Sequence, residues 1–514
     1  MSSTPPHHGP GLQVVEPSAD AVIPAPRGAG RPVDHSSARW WILAVACLAQ
    51  LMVVLDATIV NIALPTAQAD IGFSNDNRQW IVTGYALAFG SLLLVGGRLG
   101  DILGRKATFL VGLVGFAGAS AIGGTATTFE LLVTARAGQG VFGALLAPAA
   151  LSLLTTTFTD PHERGRAFAV FGALSGAGGA VGLILGGALT EYLSWRWCLY
   201  VNLPIAIVAI AGGFLLLPRQ IRDRDAHGLD IPGAVLSVAG LVSLVYGLGN
   251  AESDGWTSAV TLGFIGAGVI LLALFVWVET RVASPLLPLS VLLDRNRGGS
   301  YLSIGFVGAG MFGVFLFLTY YLSTVLGFKP LPTGLAFLPM IVGIVISAQI
   351  APNIVERIGV KVPVTAGFTI ACLGMLWFTQ LEVDSSYVVH VLPGLIVVGL
   401  GLGQVMAPAM SAATLGVDPE HAGVASAGVN TFQQIGGSIG TAVFSAIAAS
   451  AASSYLVGKN AADPIVQATA GLHSYTAAFF WSAVVFGAGA LISAALLRHG
   501  ALVRDPDAPP TIAH

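Results

Sequence analysis

Apolar runs of about 20 residues recur fourteen times along this chain, each long enough to cross ~30 Å of hydrocarbon as a helix. They fall at roughly 41–63, 80–99, 106–126, 131–154, 166–189, 197–217, 231–249, 258–278, 300–322, 333–352, 362–380, 388–409, 426–449 and 475–497. In lipid every backbone N–H and C=O must find a partner inside the protein, and helices satisfy that demand within one segment. Charged residues are only 10% of the 514, less than half the ~25% of soluble domains, while 54% are hydrophobic. Too few charges remain to solubilise globular domains, so the class is an all-α integral membrane protein.

Lys and Arg orient the bundle. With the N-terminus inside, most of the 23 basic residues fall in cytoplasmic tails and loops. Arg78, Arg196, Lys329 and Lys459 fall outside, and Arg136 lies within a span. Such an excess is the positive-inside pattern, which places both termini in the cytoplasm of a cell (plasma or inner) membrane protein. Residues 1–38 are rich in proline and residues 498–514 are polar, so both read as disordered cytoplasmic tails without a signal peptide. Cys47, Cys198 and Cys372 sit in apolar runs at spacings that suggest packing rather than a metal site. No phosphate-binding Gly-x-x-x-x-Gly-Lys-Ser/Thr loop points to ATP, no basic cluster points to nucleic acid, and no catalytic constellation or cofactor motif stands out.

Between the second and third runs, Gly97-Arg-Leu-Gly-Asp-Ile-Leu-Gly-Arg-Lys106 packs charges and glycines into one tight turn. A weaker copy follows later, with Gly100 to Lys106 aligning with Val355 to Lys361, acid to acid, Gly104 to Gly359 and Lys106 to Lys361. Each copy follows the second helix of a six-helix set if runs 7 and 8 are an insertion. The expected organisation is therefore 39–218 as one six-helix half, 219–298 as a two-helix insertion with its flanking loops, and 299–497 as the second half. Parallel halves place a cargo site between them near the midplane.

The turn at Gly97–Lys106 resembles the loop between helices 2 and 3 of the major facilitator superfamily. Four further stretches resemble its EmrB/QacA-type branch, the fourteen-helix drug:proton antiporters. They are Leu55-Asp56-Ala-Thr-Ile-Val-Asn61-Ile-Ala-Leu-Pro65, Arg136-Ala-Gly-Gln139-Gly140, the glycine-rich fifth span, and Trp195-Arg196-Trp197 with Asn202 and Pro204. The fifth-span motif, with Gly172, Gly176, Gly178, Gly182, Gly186 and Gly187, departs from the branch at Leu183, where proline is usual. The resemblance implies that the turn latches the two halves on the cytoplasmic side through Gly97, Asp101, Gly104 and Arg105, with Lys106 beside them. The plainer reading is a turn and a membrane anchor.

A carboxylate at mid-helix costs about 3 kcal/mol on insertion scales, so Asp56 needs a partner or a task. Counted from the outer ends of the first and fourth runs, Asp56 lies ~10 Å deep and Arg136 ~9 Å deep. Two readings follow from that matched depth. In one, Asp56 binds and releases the coupling proton while Arg136 holds its charged form when close. In the other the two form a static pair. The fifth-span glycines, echoed by Gly436, Gly437 and Gly440, read as surfaces along which the halves rock, or as ordinary close packing.

Polar residues inside apolar spans mark a substrate cavity: Gln50 and Asn61 on one face of the first span, with Gln139, Asn430, Gln433 and Gln434. Tyr85, Phe312, Phe315 and Phe317 are available for stacking. A single membrane carboxylate suits monocationic, neutral or zwitterionic amphipaths rather than strict dications. The expected function is secondary-active efflux of small amphipathic, drug-like molecules in exchange for protons, with the proton gradient as energy source and antibiotic efflux as the biological use. Export of one endogenous metabolite and import of a nutrient on the same fold remain as alternatives. The sequence names neither cargo nor oligomeric state.

Overall fold

The computed structural model describes residues 38–500, apart from 75–76, 159–160, 218–229, 283–284, 288, 415–416, 418–421 and 461–462. The tails before 38 and beyond 500 lie outside the described residues, as do the side chain of Asp101 and the surroundings of Gly172 and Gly176. The elements are helical throughout. The first half holds α1 (Ala38–Ile71), α2 (Arg78–Leu103), α3 (Arg105–Gly124), α4 (Phe129–Thr157), α5 (Pro161–Tyr192), α6 (Trp197–Tyr200) and α7 (Asn202–Leu216). Next come α8 (Ile231–Asp254), α9 (Ala259–Glu279) and the short α10 (Leu289–Leu293). The last group is α11 (Arg295–Tyr320), α12 (Pro330–Ala336), α13 (Leu338–Ile358), α14 (Lys361–Phe378), α15 (Leu392–Thr414), α16 (Ala422–Leu456) and α17 (Pro464–Leu496). Among the described residues, 13 helical stretches are long and apolar enough to span a bilayer, and α5, with 32 residues, lies between the fourth and fifth of them.

Several helices outrun the apolar runs. The first run ends at 63, yet α1 continues through Pro65 to Ile71 and reaches 34 residues, or ~51 Å. Polar residues such as Gln68 and Asp70 extend the helix because the headgroup region tolerates them, and such length implies tilt or protrusion. Pro65 does not end the helix, since neighbouring elements satisfy freed backbone groups in membrane bundles.

The two halves repeat the same packing. In the first, α5 lies on α1, α4 on α2 and α3. In the second, α16 lies on α11, α15 on α13 and α14. Gly104 between α2 and α3 has φ +93°, and Gly359 between α13 and α14 has φ +82°, so both copies of the turn use a left-handed glycine that a side chain would strain. A further copy joins α4 to α15, where Gly143-Ala-Leu-Leu-Ala-Pro148-Ala matches Gly403-Gln-Val-Met-Ala-Pro408-Ala. The inserted pair α8–α9 leans on the α2–α16 seam, where Leu87, Leu241, Val245 and Ala442 form a small buried cluster.

One end of the bundle, the near face, carries the helix ends at Ala38 and Leu496 and both left-handed turns. At the opposite, far face the halves meet. There the Tyr320 hydroxyl donates to Gln68 Oε1 (2.5 Å), and the Leu331 amide donates to Glu191 Oε2 (3.1 Å). The guanidinium of Arg78 lies 4.5 Å from the Tyr320 ring centroid. Gly187 and Gly334 allow α5 and α12 to touch backbone to backbone, since a Cβ on either would meet carbonyls of the other half. Toward the near face, α2 and α16 stay in contact around Gly90 and Gln434.

Candidate functional site

α1 presents three faces. Leu51, Val54, Thr58 and Ile59 meet the α5 glycines. Gln50 and Asn61 lie on a second face, turned toward the space between the halves. Asp56 lies on the third, which looks into the first half itself, and it is fully buried. Its Oδ2 accepts from Arg136 Nη1 (2.5 Å), while Oδ1 accepts from Gln139 Nε2 (2.7 Å) and Asn202 Nδ2 (2.8 Å). Ser120 Oγ lies 2.7 Å from Gln139 Nε2 and 3.2 Å from Asn202 Nδ2, and accepts from both. Five residues from α1, α3, α4 and α7 thus close a polar knot inside apolar walls.

Arg136 is equally well held. Its Nε donates to the Ile81 carbonyl (3.2 Å), its Nη1 also donates to Gln139 Oε1 (2.8 Å), and its face lies 4.4 Å over the Tyr85 ring. The Tyr85 hydroxyl in turn donates to the Val53 carbonyl (3.4 Å). Opposite charges that each hold several hydrogen bonds offset the large desolvation penalty of burying either alone. A small apolar cavity bordered by Val60, Leu64, Leu132, Trp195 and Cys198 adjoins Arg136 on its far-face side. Beyond it Asp70 takes bonds from Trp195 Nε1 (3.0 Å) and Arg196 Nη1 (2.6 Å), tying α1 to the corner between α5 and α6.

The pairing suggested by the matched depths is present. Asp56 lies ~22 Å from the far end of α1, which runs past the apolar stretch, while Arg136 is ~10 Å from the start of α4. The two meet because α1 projects further past the core than α4 does. Gln139 departs from the expectation. Instead of lining a cavity it is fully buried against Asp56 and Ser120.

Of the other cavity candidates, Asn61 is buried with its amide on the Ala57 carbonyl of its own helix (3.3 Å), and Gln50 is half-buried. On α16, Gly437 faces Phe312 of α11 and Gln434 faces Gly90 of α2. Asn430, exposed and between them on the helical wheel, therefore turns toward the space between the halves. The backbone of Gln433 packs on Gly308. The aromatics are committed elsewhere: Tyr85 to Arg136, Phe317 to Arg78 (5.5 Å), and Phe315 to Phe337 (5.2 Å).

The glycine rails lie inside each half. Gly178, Gly182 and Gly186 seat α5 on Val54, Thr58 and Ile59 of α1, while Gly436 and Gly440 seat α16 on Gly305 and Ala309 of α11. Among the described glycines of that motif, only Gly187 reaches across, to Pro330 and Leu331. The rails therefore match the reading as close helix packing within each half, and the halves touch instead at the Gly187–Gly334 crossing and the Gly90–Gln434 seam. Leu183, in the place of the usual proline, is fully buried in an unbroken α5.

Around the near-face turn, Gly97 lies against Pro148 of α4, Gly100 and Gly104 have open space, and Arg105 begins α3. Lys106 Nζ donates to the Phe214 (3.0 Å) and Leu217 (2.5 Å) carbonyls, capping the C-terminal end of α7 where partial negative charge gathers. Among the described residues, these contacts stay within the first half. Sequence reasoning missed Ser120 as a partner and saw Asn202 only as part of a motif. The available signal was Asn202, the one amide in its apolar run, whereas Ser120 shares its run with Thr108 and Thr125.

Comparison with known proteins agrees with this architecture. The Major Facilitator Superfamily model matches residues 46–441. The puromycin resistance protein pur8 of Streptomyces alboniger is 48% identical over 462 residues, covering 89% of this chain and 90% of that protein. The cephamycin export protein CmcT of Amycolatopsis lactamdurans is 39% identical, covering 83% and 89%. The tetracenomycin C resistance and export protein of Streptomyces glaucescens is 34% identical, covering 85% and 79%. Among solved structures, a bacterial homolog of the human lysosomal transporter Spinster, inward-facing and unoccupied, shares the fold with TM-score 0.59 at 14% identity, covering 90% of this chain and 97% of that one. The chain belongs to the Major Facilitator Superfamily and is a membrane transporter, not an enzyme.

Proposed function

We propose that the protein exports small amphipathic antibiotics across the cell membrane in exchange for protons, with both termini in the cytoplasm and no cofactor beyond the proton gradient. The observation that carries this reading is a wholly buried mid-membrane carboxylate, Asp56, in a chain whose relatives are named for antibiotic resistance and export. The excess of Lys and Arg toward the near face supports the orientation. The far face is closed by Gln68–Tyr320 and Glu191–Leu331, which supports reading the near face as the cytoplasmic side from which cargo would enter.

The geometry suggests how a proton would move the bundle. α1 carries Asp56 and, ~18 Å further along, Gln68 of the far-face closure. Neutralising Asp56 weakens the bond that holds α1 to Arg136 on α4, freeing α1 to shift and its far end to part from Tyr320. The near-face turn would latch the halves only in the opposite, outward-open state, consistent with contacts confined to one half here. One proton entering down a 100 mV potential supplies about 2.3 kcal/mol. Gln50, Asn61, Asn430 and Gln434 offer amides rather than charge to the cargo, which suits neutral, zwitterionic or monocationic molecules.

The test is efflux of a drug panel that includes puromycin, from cells making the protein, with and without a protonophore, beside Asp56→Asn. Protonophore-sensitive efflux that Asp56→Asn abolishes, at normal protein level, is expected. Full proton-driven efflux by a well-folded Asp56→Asn would remove Asp56 from the coupling step. Drug accumulation instead of efflux would reverse the direction.

A further inference from the structure

Asn202 opens α7 and reaches the Asp56 knot from the side opposite Arg136. It is fully buried, and its two amide atoms have unequal surroundings. Nδ2 donates to Asp56 Oδ1 at 2.8 Å and to Ser120 Oγ at 3.2 Å. Among the described residues no donor reaches Oδ1. A buried amide with one satisfied end and one orphaned end is costly, and such an atom in a native core calls for an explanation.

We infer that Asn202 is the positioning residue that lets Asp56 change protonation state without dismantling its cage, by turning its amide end for end. The inference rests on the coupling role proposed for Asp56. The amide orientation seen here fits only the carboxylate, because Oδ1 of Asn202 turned toward an ionised oxygen would set acceptor against acceptor at 2.8 Å. Once Asp56 carries the proton on Oδ1, that hydroxyl needs an acceptor. Arg136 has none to offer, and the one acceptor atom of Gln139, its Oε1, is held by Arg136. A half-turn of the Asn202 amide supplies the oxygen, and the Ser120 hydroxyl can rotate to donate to it as well. The proton moves onto Asp56 and off again, while Asn202 neither gains nor loses one.

The titratable or charged groups against this corner are Arg136 from α4, Tyr85 from α2 and Cys198 from α6. The described residues of α3, α5 and α7 contribute none there. None of those three offers Asp56 an acceptor in its present contacts. Arg136 has only donors, and neither the Tyr85 hydroxyl, which donates to Val53, nor the Cys198 thiol, paired with Thr190 (3.3 Å), is hydrogen-bonded to Asp56. Asn202 also sits two residues beyond α6, on the corner that Trp195 and Arg196 pin to Asp70. The half-turn is thereby placed to pass the state of Asp56 to the far-face end of α1.

The experiment uses the full-length protein in proteoliposomes with an imposed pH gradient and puromycin as probe, comparing wild type with Asn202→Leu, Asn202→Asp and Asp56→Asn. Two readouts are taken: the pH profile of drug-driven proton movement, and the infrared band of the protonated Asp56 carboxyl, assigned by its loss in Asp56→Asn. Asn202→Leu removes the donor to the carboxylate and also the acceptor for its protonated form, so the midpoint is expected to move by about one pH unit and the protonated carboxyl band to shift to the higher frequency of a carboxyl without an acceptor. Asn202→Asp keeps the volume, guards against a folding defect in the leucine variant, and is expected to shift the midpoint upward, as two carboxyls then share one proton. Midpoint and band both unchanged, with only protein level or melting temperature lowered, would reduce Asn202 to a packing residue and overturn the inference. Asp56→Asn that still couples protons to drug would instead overturn the underlying coupling role.

Discussion

The two halves are built on one plan but around opposite cores. The left-handed turns at Gly104 and Gly359, the Gly143–Ala149 and Gly403–Ala409 stretches, and the glycine rails on Leu55 and Gly305 give a consistent alignment between them. On that alignment Asp56, Ser120, Arg136 and Gln139 of the first half correspond to Phe306, Met375, Ile396 and Gly399 of the second. Met375 is fully buried, and Phe306 packs edge-on against Phe368 (6.5 Å). Equal helix packing therefore holds a polar knot in one half and plain hydrocarbon in the other. Helix association in lipid comes from close backbone approach at small residues, which both halves share, so the knot is not needed to hold the fold. Its presence in one half alone is why the proposed proton response is assigned to that half.

The strongest way to break this contrast is Arg136→Met. It leaves a buried carboxylate without its counter-charge, a loss of about 3–5 kcal/mol, read as a large drop in melting temperature and folded yield in detergent. Adding Asp56→Asn should recover most of that loss while transport stays absent. If the double variant is no more stable than Arg136→Met alone, the knot contributes to the fold beyond its charge balance.

Glycine substitutions sharpen the shared part of the plan. Gly182→Val would drive side-chain atoms into Thr58 and the Leu55 carbonyl, and Gly436→Val into the Gly305 carbonyl. Each is expected to destabilise by about 1–3 kcal/mol or more, to a similar extent in the two halves. A large asymmetry in their melting temperatures would argue against equivalent rails.

The turns should differ more. Gly104→Ala meets only the strain of a positive φ, about 1–2 kcal/mol, whereas Gly359→Ala also collides with the Gly500 carbonyl. The second should lower the melting temperature further than the first. Smallest of all is Tyr320→Phe, which removes one hydrogen bond across the far face, about 1 kcal/mol. It should leave melting unchanged and raise far-face opening roughly fivefold, measured by labelling a cysteine introduced beside Gln68.

Much of the fold was legible because it is written locally. Apolar run length marks spans, and the echo of Gly104 at Gly359 exposed the doubling. The site was legible in part. Asp56 and Arg136 stand out because each is a charge in a run that should hold none. Gln139 was misplaced because a polar residue in an apolar span can face either a cavity or a partner, and its neighbours in sequence do not distinguish the two. Ser120 and Asn202 were passed over as partners because a single hydroxyl or amide is unremarkable until a carboxylate is seen beside it. The glycine rail stayed open between two readings for a similar reason: small spacing marks a contact without naming the helix that makes it.

The sequence by itself determined a polytopic helical bundle, its doubling and the residues too polar to be idle in lipid. Those follow from run length, charge placement and period, which need no knowledge of neighbours. Tertiary structure alone decided that Asp56 faces the interior of its own half while Gln50 and Asn61 on the same helix face the space between the halves. The physical reason is that α1 is apolar around most of its circumference, so no strong amphipathic stripe fixes its rotation. That rotation is set by Gly178, Gly182 and Gly186 of α5, more than a hundred residues away in sequence, and Asp56 meets Arg136 because of it.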